Sequence, residues 1–482
     1  MDGIQRRLTR RHFLAIGGGS LAGAAVLAAC GATPTPQVVE KVVTQVVKET
    51  QVVEKEVTKV VAGTPEVVKE TVVVEKPVEV TPTLGPKVTI TAHFTFSPTY
   101  KPRIEGWTEA FKQRYPNIDV NLIFEPWGEW QTKELTLAAA GQTTELMAVH
   151  IARAQVLAQQ GAILPLDDWI AADPDFDLAD YYPASLVMFT WQKKLYGFPW
   201  DWGSGILGYN KDMFDAAGVA YPTEQWTFDD MLAAAQKLTN PAKGEWGFYG
   251  LPSAWDGPAK IGPWGADWVN EEETQCTVDT QQAIDALTWW ADLRLKHKVH
   301  PMPADEQVLT ALGVQMLATG KIAMVWSHPW DAGEVKVQSK SKWDVAPWPK
   351  GPVTRISDGA GSGYAIGRDT KHKEEAWLYL RWFASKEGQK FLWGDTGASI
   401  PARASAIQAF LGAEGMPEHA SYWVDAIKQY SRINRPISAV ANEYITIAQR
   451  EIDLVNLGNK SAAEAVKTIC NDTNPILAKN KT

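Results

Sequence analysis

Alternating strand and helix patterns begin at Lys87 and constrain the fold more than any other feature of the chain. Apolar and polar residues alternate in Lys87–Phe94, as in a half-buried strand, and apolar residues recur at helical spacing from Arg103 to Tyr115. The pattern repeats as a strand, a helix that stops before Gly141 and a third strand, at Ile118–Phe124, about Gly128 to Ala140, and Leu146–Val149. This alternation predicts an α/β fold with a parallel sheet. A chain of 482 residues has room for two or three domains.

Residues 1–30 have the composition of an export signal. A basic region that contains Arg10 and Arg11 precedes an apolar run of small residues, Phe13–Ala29, which is shorter than a membrane span. The arginine pair resembles a twin-arginine signal, and the small residues before Cys30 resemble a bacterial lipobox. The resemblance implies that Cys30 is lipidated and becomes the N-terminus. We therefore expect an exported protein, anchored to the outer face of the cytoplasmic membrane.

Residues 31–86 predict a Val/Thr/Pro-rich tether. The segment has no aromatic residue, and valine pairs alternate with polar pairs, as in Val38-Val39-Glu40-Lys41. The spacing of about four would place the valines on one face of a helix, whereas β-branched residues are poor helix formers. Extended chain and a weak helix or coiled coil therefore both stay open. We interpret the segment as a spacer between the membrane and the folded body.

Charge and reactive side chains exclude several classes of function. The formal net charge is −9 and there is no basic patch, which argues against nucleic acid as a partner. The eight histidines form no HExxH motif and the three cysteines no CxxC motif, so we expect no metal and no other cofactor. Cys276 and Cys470 either pair in an oxidising compartment or stay as free thiols. The 22 tryptophans outnumber both Tyr and Phe and suggest a surface for stacking.

Four blocks of the folded part resemble the extracellular solute-binding proteins of ABC importers, in the family 1 or maltose-binding-like group. In chain order they are FKQRYPNI at 111–118 with GAILPLDD at 161–168, LYGFP at 195–199 with GYNKDMFDAAG at 208–218, GKIAM at 320–324, and KHKEEAWLYLRW at 371–382 before GASIPAR at 397–403. Each block is weak alone, but the four in this order are specific. Together they cover nearly all of residues 87–482.

The resemblance implies a two-lobe periplasmic-binding-protein fold of type II. Each lobe would hold a mainly parallel sheet flanked by helices, and several hinge crossings would join the lobes. We expect lobe one to comprise residues 87–200 and 364–403, and lobe two residues 201–363 and 404–482. Small residues at the crossings would absorb the backbone change of closure. These hinge candidates are Gly203, Ser204, Gly205, Gly361 and Gly363.

Aromatic and acidic residues in the loops are candidate ligand contacts. Indole faces stack on the C–H faces of sugars, and carboxylates accept hydrogen bonds from paired hydroxyl groups. By contrast, Trp289, Trp290, Trp377 and Trp382 lie at helical spacing among apolar residues and are predicted to be core. The candidate contacts are Trp127, Trp200, Asp201, Trp202, Trp255, Asp256, Trp264, Trp326, Trp330, Asp331 and Tyr364.

The function expected from the resemblance is capture of a mono- or oligosaccharide in the cleft and delivery to an ABC permease. We expect a monomer without enzymatic activity. A receptor for a polyamine, a peptide or glycerol phosphate is one alternative, because a cation could use the same Trp and Asp residues. A secreted glycoside hydrolase is another, because acids such as Glu125, Glu129 and Asp201 could supply a catalytic pair.

Overall fold

The computed structural model describes residues 47–61, 64–78, 86–95, 97 and 100–480. The export signal and Cys30 lie outside these residues and stay predictions. The chain divides into two units, Met1–Thr83 and Leu84–Thr482. Among the described residues, no helix combines the length and the apolar character that crossing a membrane requires.

Within the first unit, Val47–Val61 and Thr64–Val78 pair as an antiparallel hairpin. Each strand has 15 residues, and the register runs from Val47 opposite Val78 to Val61 opposite Thr64. β-Branched valines favour strands over helices, which is the physical reason for this outcome. The extended interpretation of the tether is therefore the one that the structure adopts over these residues.

Lobe one is built on a five-stranded sheet. Val88–Thr95 lies parallel to both Ile118–Glu125 and Leu146–His150, and Ser362–Ile366 runs antiparallel to Leu146–His150 and to the short strand Phe198–Pro199. The predicted alternation of strands and helices is confirmed here. Gly141 ends its helix with a positive φ of 65°, as a C-terminal glycine does.

Helices cover this sheet and complete the hydrophobic core of lobe one. The core also contains Trp377, which was predicted to be core, and Trp382 packs against it. A small hairpin of Thr190–Trp191 and Lys194–Leu195 stands beside the sheet. The helices are Lys101–Arg114, Trp127–Ala140, Ile151–Gln159, Asp167–Ala172, Pro183–Val187, Lys373–Ala384 and Lys386–Gln389, followed by a π-helical turn at Lys390–Gly394. The next helix, Ile407–Leu411, packs instead in a separate core with Ile206 and Trp423.

Lobe two is built on a three-stranded sheet whose central strand is Ile206–Asn210. Met324–Ser327 and Trp343–Ala346 flank it, and both run antiparallel to it. Apart from the strand pair Ser357–Gly359 and Ser431–Ile433 at the junction, parallel pairing among the described residues of this lobe occurs only at isolated bridges, such as Tyr249 with Val325. The named strands of this lobe thus depart from the expected parallel sheet, because the central strand enters from lobe one against the direction of its neighbours.

The helices of lobe two include two long C-terminal ones that pack on Gln281–Leu295. Trp290 is fully buried in this core and Trp289 packs against it, as predicted. A disulfide bond joins Cys276 to Cys470, which settles the choice left open by the sequence. The helices are Lys211–Ala217, Phe228–Leu238, Gly257–Lys260, Gln281–Leu295, Pro303–Thr310, Pro329–Gln338, Ser421–Gln429, Ala441–Asn456 and Ala462–Leu477.

Several chain segments run side by side where the lobes join. Gly203 bridges to Ala360, Asp201 bridges to Pro401, and the strand Ser357–Gly359 lies parallel to Ser431–Ile433. One large hydrophobic core lies on each side of this junction. The lobe boundaries given above stay a prediction, but the junction itself places a cavity between the two cores.

Candidate functional site

Four of the predicted indoles line one cavity of about 320 Å³ between the lobes. By the predicted bounds, Trp127 belongs to lobe one, whereas Trp255, Trp326 and Trp330 belong to lobe two. Trp127 and Trp255 are 48% and 38% exposed, and the other two are half-buried. Flat faces are therefore open to a ligand from both sides of the cavity. The remaining lining residues are His150, Ile151, Ala152, His328, Asp358, Ala360, Asn434, Pro436, Ile437 and Ile445.

Trp127 is positioned by a buried neighbour. It opens the helix Trp127–Ala140 directly after Pro126, and its ring centroid lies 5.0 Å from that of Trp130. Trp130 is fully buried, and its Nε1 donates a hydrogen bond to the carbonyl oxygen of Ala148 at 3.2 Å. The buried indole thus holds the exposed one at the edge of the sheet.

Trp326, His328 and Trp330 form an aromatic stack where a strand becomes a helix. The His328 ring lies 4.2 Å from each indole and is nearly parallel to that of Trp330. Its Nε2 lies 2.9 Å from a carboxylate oxygen of Asp358. Burial opposes the charged form of His328, but the Asp358 carboxylate outweighs it and raises the pKa of the imidazole.

A buried ammonium group lies behind this stack. Lys260 Nζ is 4.2 Å from the ring centroid of Trp290 and 4.8 Å from that of Trp326, and it donates a hydrogen bond to the carbonyl oxygen of Gly250 at 2.6 Å. Burial lowers the pKa of Lys260, and Asp256 opposes that change. The lysine therefore supports the cavity wall from inside lobe two and has no exposed surface.

Three predicted aromatic contacts around the crossing belong to the interior. Trp200, Trp202 and Tyr364 are buried in the core of lobe one. Trp200 packs between Trp393, at 5.5 Å, and Tyr364, at 4.7 Å. None of these rings lines the cavity of the four indoles, which corrects the prediction for Trp200 and Tyr364. Trp202 lines a separate cavity of about 310 Å³, so its ligand contact stays a prediction.

Trp264 is a further correction. Its ring lies 4.9 Å from Phe228 and 5.6 Å from Trp289, inside the core of lobe two. The Gly/Pro-rich surroundings suggested an exposed loop, but residues 262–264 form a 3₁₀ turn that packs against the helix Gln281–Leu295. The indole is therefore a packing residue.

Asp201 fastens the crossing and does not face the cavity. Its carboxylate accepts hydrogen bonds from the Ser362 backbone N–H and the Ser399 hydroxyl, both at 2.9 Å. Burial raises its pKa from 3.8 to about 7, and the two hydrogen bonds limit this rise. The prediction of a ligand-binding carboxylate is corrected to a structural one.

The other two predicted acids also hold backbone. Asp256 accepts a hydrogen bond from the Ser253 N–H at 2.7 Å and so fixes the turn that carries Trp255. Asp331 accepts from the His328 N–H at 2.8 Å, at the start of the helix Pro329–Gln338. Neither acid lines the cavity; each positions an aromatic residue that does.

The glycines proposed as hinges serve close packing. None of Gly203, Gly205, Gly361 and Gly363 has a positive φ, so unusual backbone angles do not explain them. A Cβ at Gly203 would lie 2.7 Å from Pro329, and one at Gly205 would collide with the indole of Trp326. Ser204 is fully buried beside them. Their hinge role stays a prediction. The structure explains the glycines at these positions by the lack of space for a Cβ atom, not by unusual backbone angles.

Sequence reasoning missed His150, His328, Lys260, Asp358 and Asn434. His328 lies between the predicted contacts Trp326 and Trp330, and Asp358 lies three residues before the hinge candidate Gly361. Their proximity to these predicted residues was the available signal. Lys260 follows the predicted Asp256 by four residues, and that spacing was its signal. Asn434 carried none, because its partner Ala254 is distant along the chain.

A cavity between two α/β lobes, walled by aromatic faces and joined by several crossings, defines a two-lobe ligand receptor. The family model for bacterial extracellular solute-binding proteins matches residues 97–390, and the chain belongs to this family. The predicted family and the type II fold are confirmed. Its members bind solutes, in agreement with the expectation of a receptor.

Individual relatives are distant. A protein of Brucella abortus (strain 2308), named as a binding protein, is 26% identical over 301 residues, which cover 59% of this chain and 69% of that protein. An arabinooligosaccharide-binding protein of Halalkalibacterium halodurans is 21% identical over 324 residues, covering 64% and 70%. A solved ABC substrate-binding protein from Listeria monocytogenes, in complex with cycloalternan, superposes with a TM-score of 0.74 at 24% identity, covering 82% of this chain and 100% of that one.

Proposed function

We propose that the protein captures an uncharged mono- or oligosaccharide in the interlobe cavity and delivers it to the permease of an ABC importer. The observation that carries the proposal is the gathering of Trp127, Trp255, Trp326 and Trp330 around one cavity. Indoles offer large apolar faces to pyranose or furanose rings. The two lobes that carry these indoles can enclose the ligand from opposite sides. The names of two relatives, one for arabino-oligosaccharides and one with bound cycloalternan, support the same ligand class.

The charges around the cavity favour an uncharged ligand over the alternatives. Asp358 is the only carboxylate among the described lining residues, and it already accepts hydrogen bonds from the Gly205 N–H at 2.9 Å and from His328. A polyamine would require unpaired acids, and Lys260 behind Trp326 adds positive charge near its path. Glycerol phosphate or a peptide carboxylate would require Arg or Lys in the lining, and the described lining has neither.

The same inventory argues against glycoside hydrolysis. That reaction requires two carboxyl groups that flank one glycosidic bond. Of the acids considered from the sequence, Glu125, Glu129, Asp201, Asp256 and Asp331 are all absent from the described lining. We therefore propose binding without catalysis.

Export, lipid attachment at Cys30, the permease partner and a monomeric state complete the proposal. They rest on the N-terminal motifs and on the family. The measurement that tests the anchor is fractionation of cells that express wild-type protein or Cys30→Ser. We expect the wild type with membranes and the variant in the soluble exported fraction; equal distribution of both would contradict lipid anchoring.

Calorimetric titration against a panel of neutral saccharides, polyamines and glycerol phosphate tests the ligand class. We expect heat from at least one saccharide series, and a loss of about tenfold in affinity for Trp330→Ala, the order expected for one aromatic contact. Trp169→Ala is the matched control, because Trp169 stacks on Trp377 at 5.8 Å in lobe one, outside the cavity. Binding of a polyamine but of no saccharide would refute the proposal.

A further inference from the structure

Aromatic residues from both lobes meet at one rim of the cavity. The His150 ring of lobe one stands between two indoles, with its centroid 5.5 Å from that of Trp127 and 5.7 Å from that of Trp255. Both contacts are edge-on, at 87° and 76°. Such T-shaped pairs are favourable aromatic contacts. Because Trp255 belongs to lobe two, the second contact crosses from one lobe to the other.

The imidazole is fixed in place on the lobe-one side. His150 ends a strand of the sheet and precedes the helix Ile151–Gln159, whose Ala152 N–H donates to His150 Nδ1 at 3.4 Å. Burial lowers the pKa of His150 to about 3, and Arg153 adds to this effect. The ring is thus neutral over the physiological range and presents the same edge to both indoles.

The turn that carries Trp255 is equally constrained on the lobe-two side. The Trp255 N–H donates to the Ser253 hydroxyl at 3.2 Å, and the neighbouring Ala254 N–H donates to the Gln449 side chain at 3.0 Å. Asn434, from the crossing region, donates to the Ala254 carbonyl oxygen at 3.3 Å. The backbone is held on three sides, while the indole projects into the space between the lobes.

Other contacts between the lobes differ in chemistry. Ser97 of lobe one donates a hydrogen bond to Glu334 at 3.0 Å, and Lys336 of lobe two donates to the Thr396 carbonyl oxygen at 2.6 Å. These polar contacts lie on the helix Pro329–Gln338, which also packs on Gly203 of the crossing. The lobes are thus tied by polar groups beside the crossing and by the edge-on contact of His150 with Trp255 at the cavity.

We propose that Trp255 is the gate of the ligand cavity: its contact with His150 closes one end, limits the ligand to a short saccharide and sets the rate of release. The proposal rests on the function proposed above. A volume of about 320 Å³ is at the lower end of the range for small-molecule pockets, which favours a short ligand. A longer chain would have to pass between His150 and Trp255, so this contact selects against it.

Kinetics with a saccharide series of one to six residues test the gate. Trp255→Ala should raise the dissociation rate of the shortest bound saccharide about threefold to tenfold and change the association rate less than twofold. It should also improve binding of longer saccharides relative to short ones. Phe391→Ala is the matched control, because Phe391 is 39% exposed and packs on Trp107 at 5.2 Å, outside the cavity. An unchanged dissociation rate and length preference would overturn the proposal.

A second experiment needs no ligand. In the full chain, the double variant His150→Cys with Trp255→Cys is treated with a short bismaleimide, and each single variant serves as a control. We expect an intramolecular cross-link in the double variant alone. After cross-linking, this variant should no longer bind saccharide. If the cross-link does not form, the gate is refuted even where saccharides bind. If it forms while no saccharide binds the wild type, the gate survives and the carbohydrate proposal fails.

Discussion

Replacing Asp201 by Asn isolates the cost of one buried charge at the crossing. The carboxylate receives hydrogen bonds from the Ser362 N–H and the Ser399 hydroxyl and lies almost entirely inside the protein. An asparagine fits the same partners, because its oxygen accepts from Ser362 and its amide donates to the Ser399 oxygen. The change therefore removes the charge and keeps the geometry.

The magnitude follows from the raised pKa. The ordinary value of 3.8 becomes about 7 in the folded chain, because burial penalises the ionised form of Asp201. One pKa unit corresponds to about 1.4 kcal/mol, so the ionised carboxylate costs the folded state about 4 kcal/mol above pH 7. The sign is fixed by proton binding: the folded state holds the proton more tightly, so this contribution is full below pH 4 and is lost as the pH rises through 7.

Urea unfolding of the wild type and Asp201→Asn at pH 4, 6 and 8 measures this difference. We expect similar stability at pH 4 and a variant that is more stable at pH 8, by up to about 4 kcal/mol. Asp201→Ala should lose about 1–3 kcal/mol at pH 4, because the Ser362 N–H is left buried without an acceptor. At pH 8 the removal of the same buried charge should offset this loss. Ligand affinity of Asp201→Asn should equal that of the wild type.

Two results would refute the reasoning. An Asn variant that is less stable than the wild type at pH 8 would mean that the ionised carboxylate stabilises the crossing. A variant that folds normally but loses ligand binding would restore Asp201 to the site predicted from its position between Trp200 and Trp202.

Other regions give further predictions. Reduction of the lobe-two disulfide, which spans 194 residues, should lower the urea midpoint, with about 5 kcal/mol as the chain-entropy upper bound; an unchanged midpoint would contradict a structural bond. Gly205→Ala should cost about 1–3 kcal/mol and weaken ligand binding by displacing Trp326, whereas Gly106→Ala, with no neighbour near its added Cβ, should cost nothing; equal melting curves would count against the steric argument. Lys260→Met should cost about 3–5 kcal/mol by leaving Asp256 buried without its cation, and Asp256→Asn added to it should recover part of the loss, as a double-mutant cycle would measure.

The elements of lobe one could be predicted closely from the sequence, because each carries its own local signal. The first strand was expected at Lys87–Phe94 and occurs at Val88–Thr95. Likewise, the helix expected from Arg103 to Tyr115 occurs at Lys101–Arg114. Period-two alternation, period-3.6 recurrence and a terminating Gly141 depend only on neighbouring residues, so distant parts of the chain do not alter them.

The tether and the sheet of lobe two were less predictable. Valine pairs at a spacing of four fit both a helix and a strand, and the choice depends on pairing with a second strand further along the chain, Thr64–Val78. Strand direction in lobe two depends on how the chain returns through the crossing, which no local pattern records.

The site could be predicted only in part, for a physical reason. A tryptophan beside Asp or Gly has the same local sequence whether its indole stacks on a ligand or on another ring. Trp200 is buried because Trp393 and Tyr364 cover it, and both are distant in the sequence. Trp127 and Trp255 are contacted by Trp130 and His150 but keep much of their surface exposed. Long-range packing therefore separated candidates that were equal in sequence.

The enclosed ammonium group of Lys260 affects the tryptophan fluorescence of the protein. Excitation redistributes electron density within an indole, so the emission of Trp290, Trp326 and Trp348, whose rings surround Lys260 Nζ, depends on its charge. Burial lowers the pKa of Lys260, so its proton is lost closer to neutral pH than that of an exposed lysine. Trp326 also faces the cavity, so both ligand binding and the loss of the Lys260 proton change its emission. A fluorescence titration with ligand therefore reports binding alone only at constant pH.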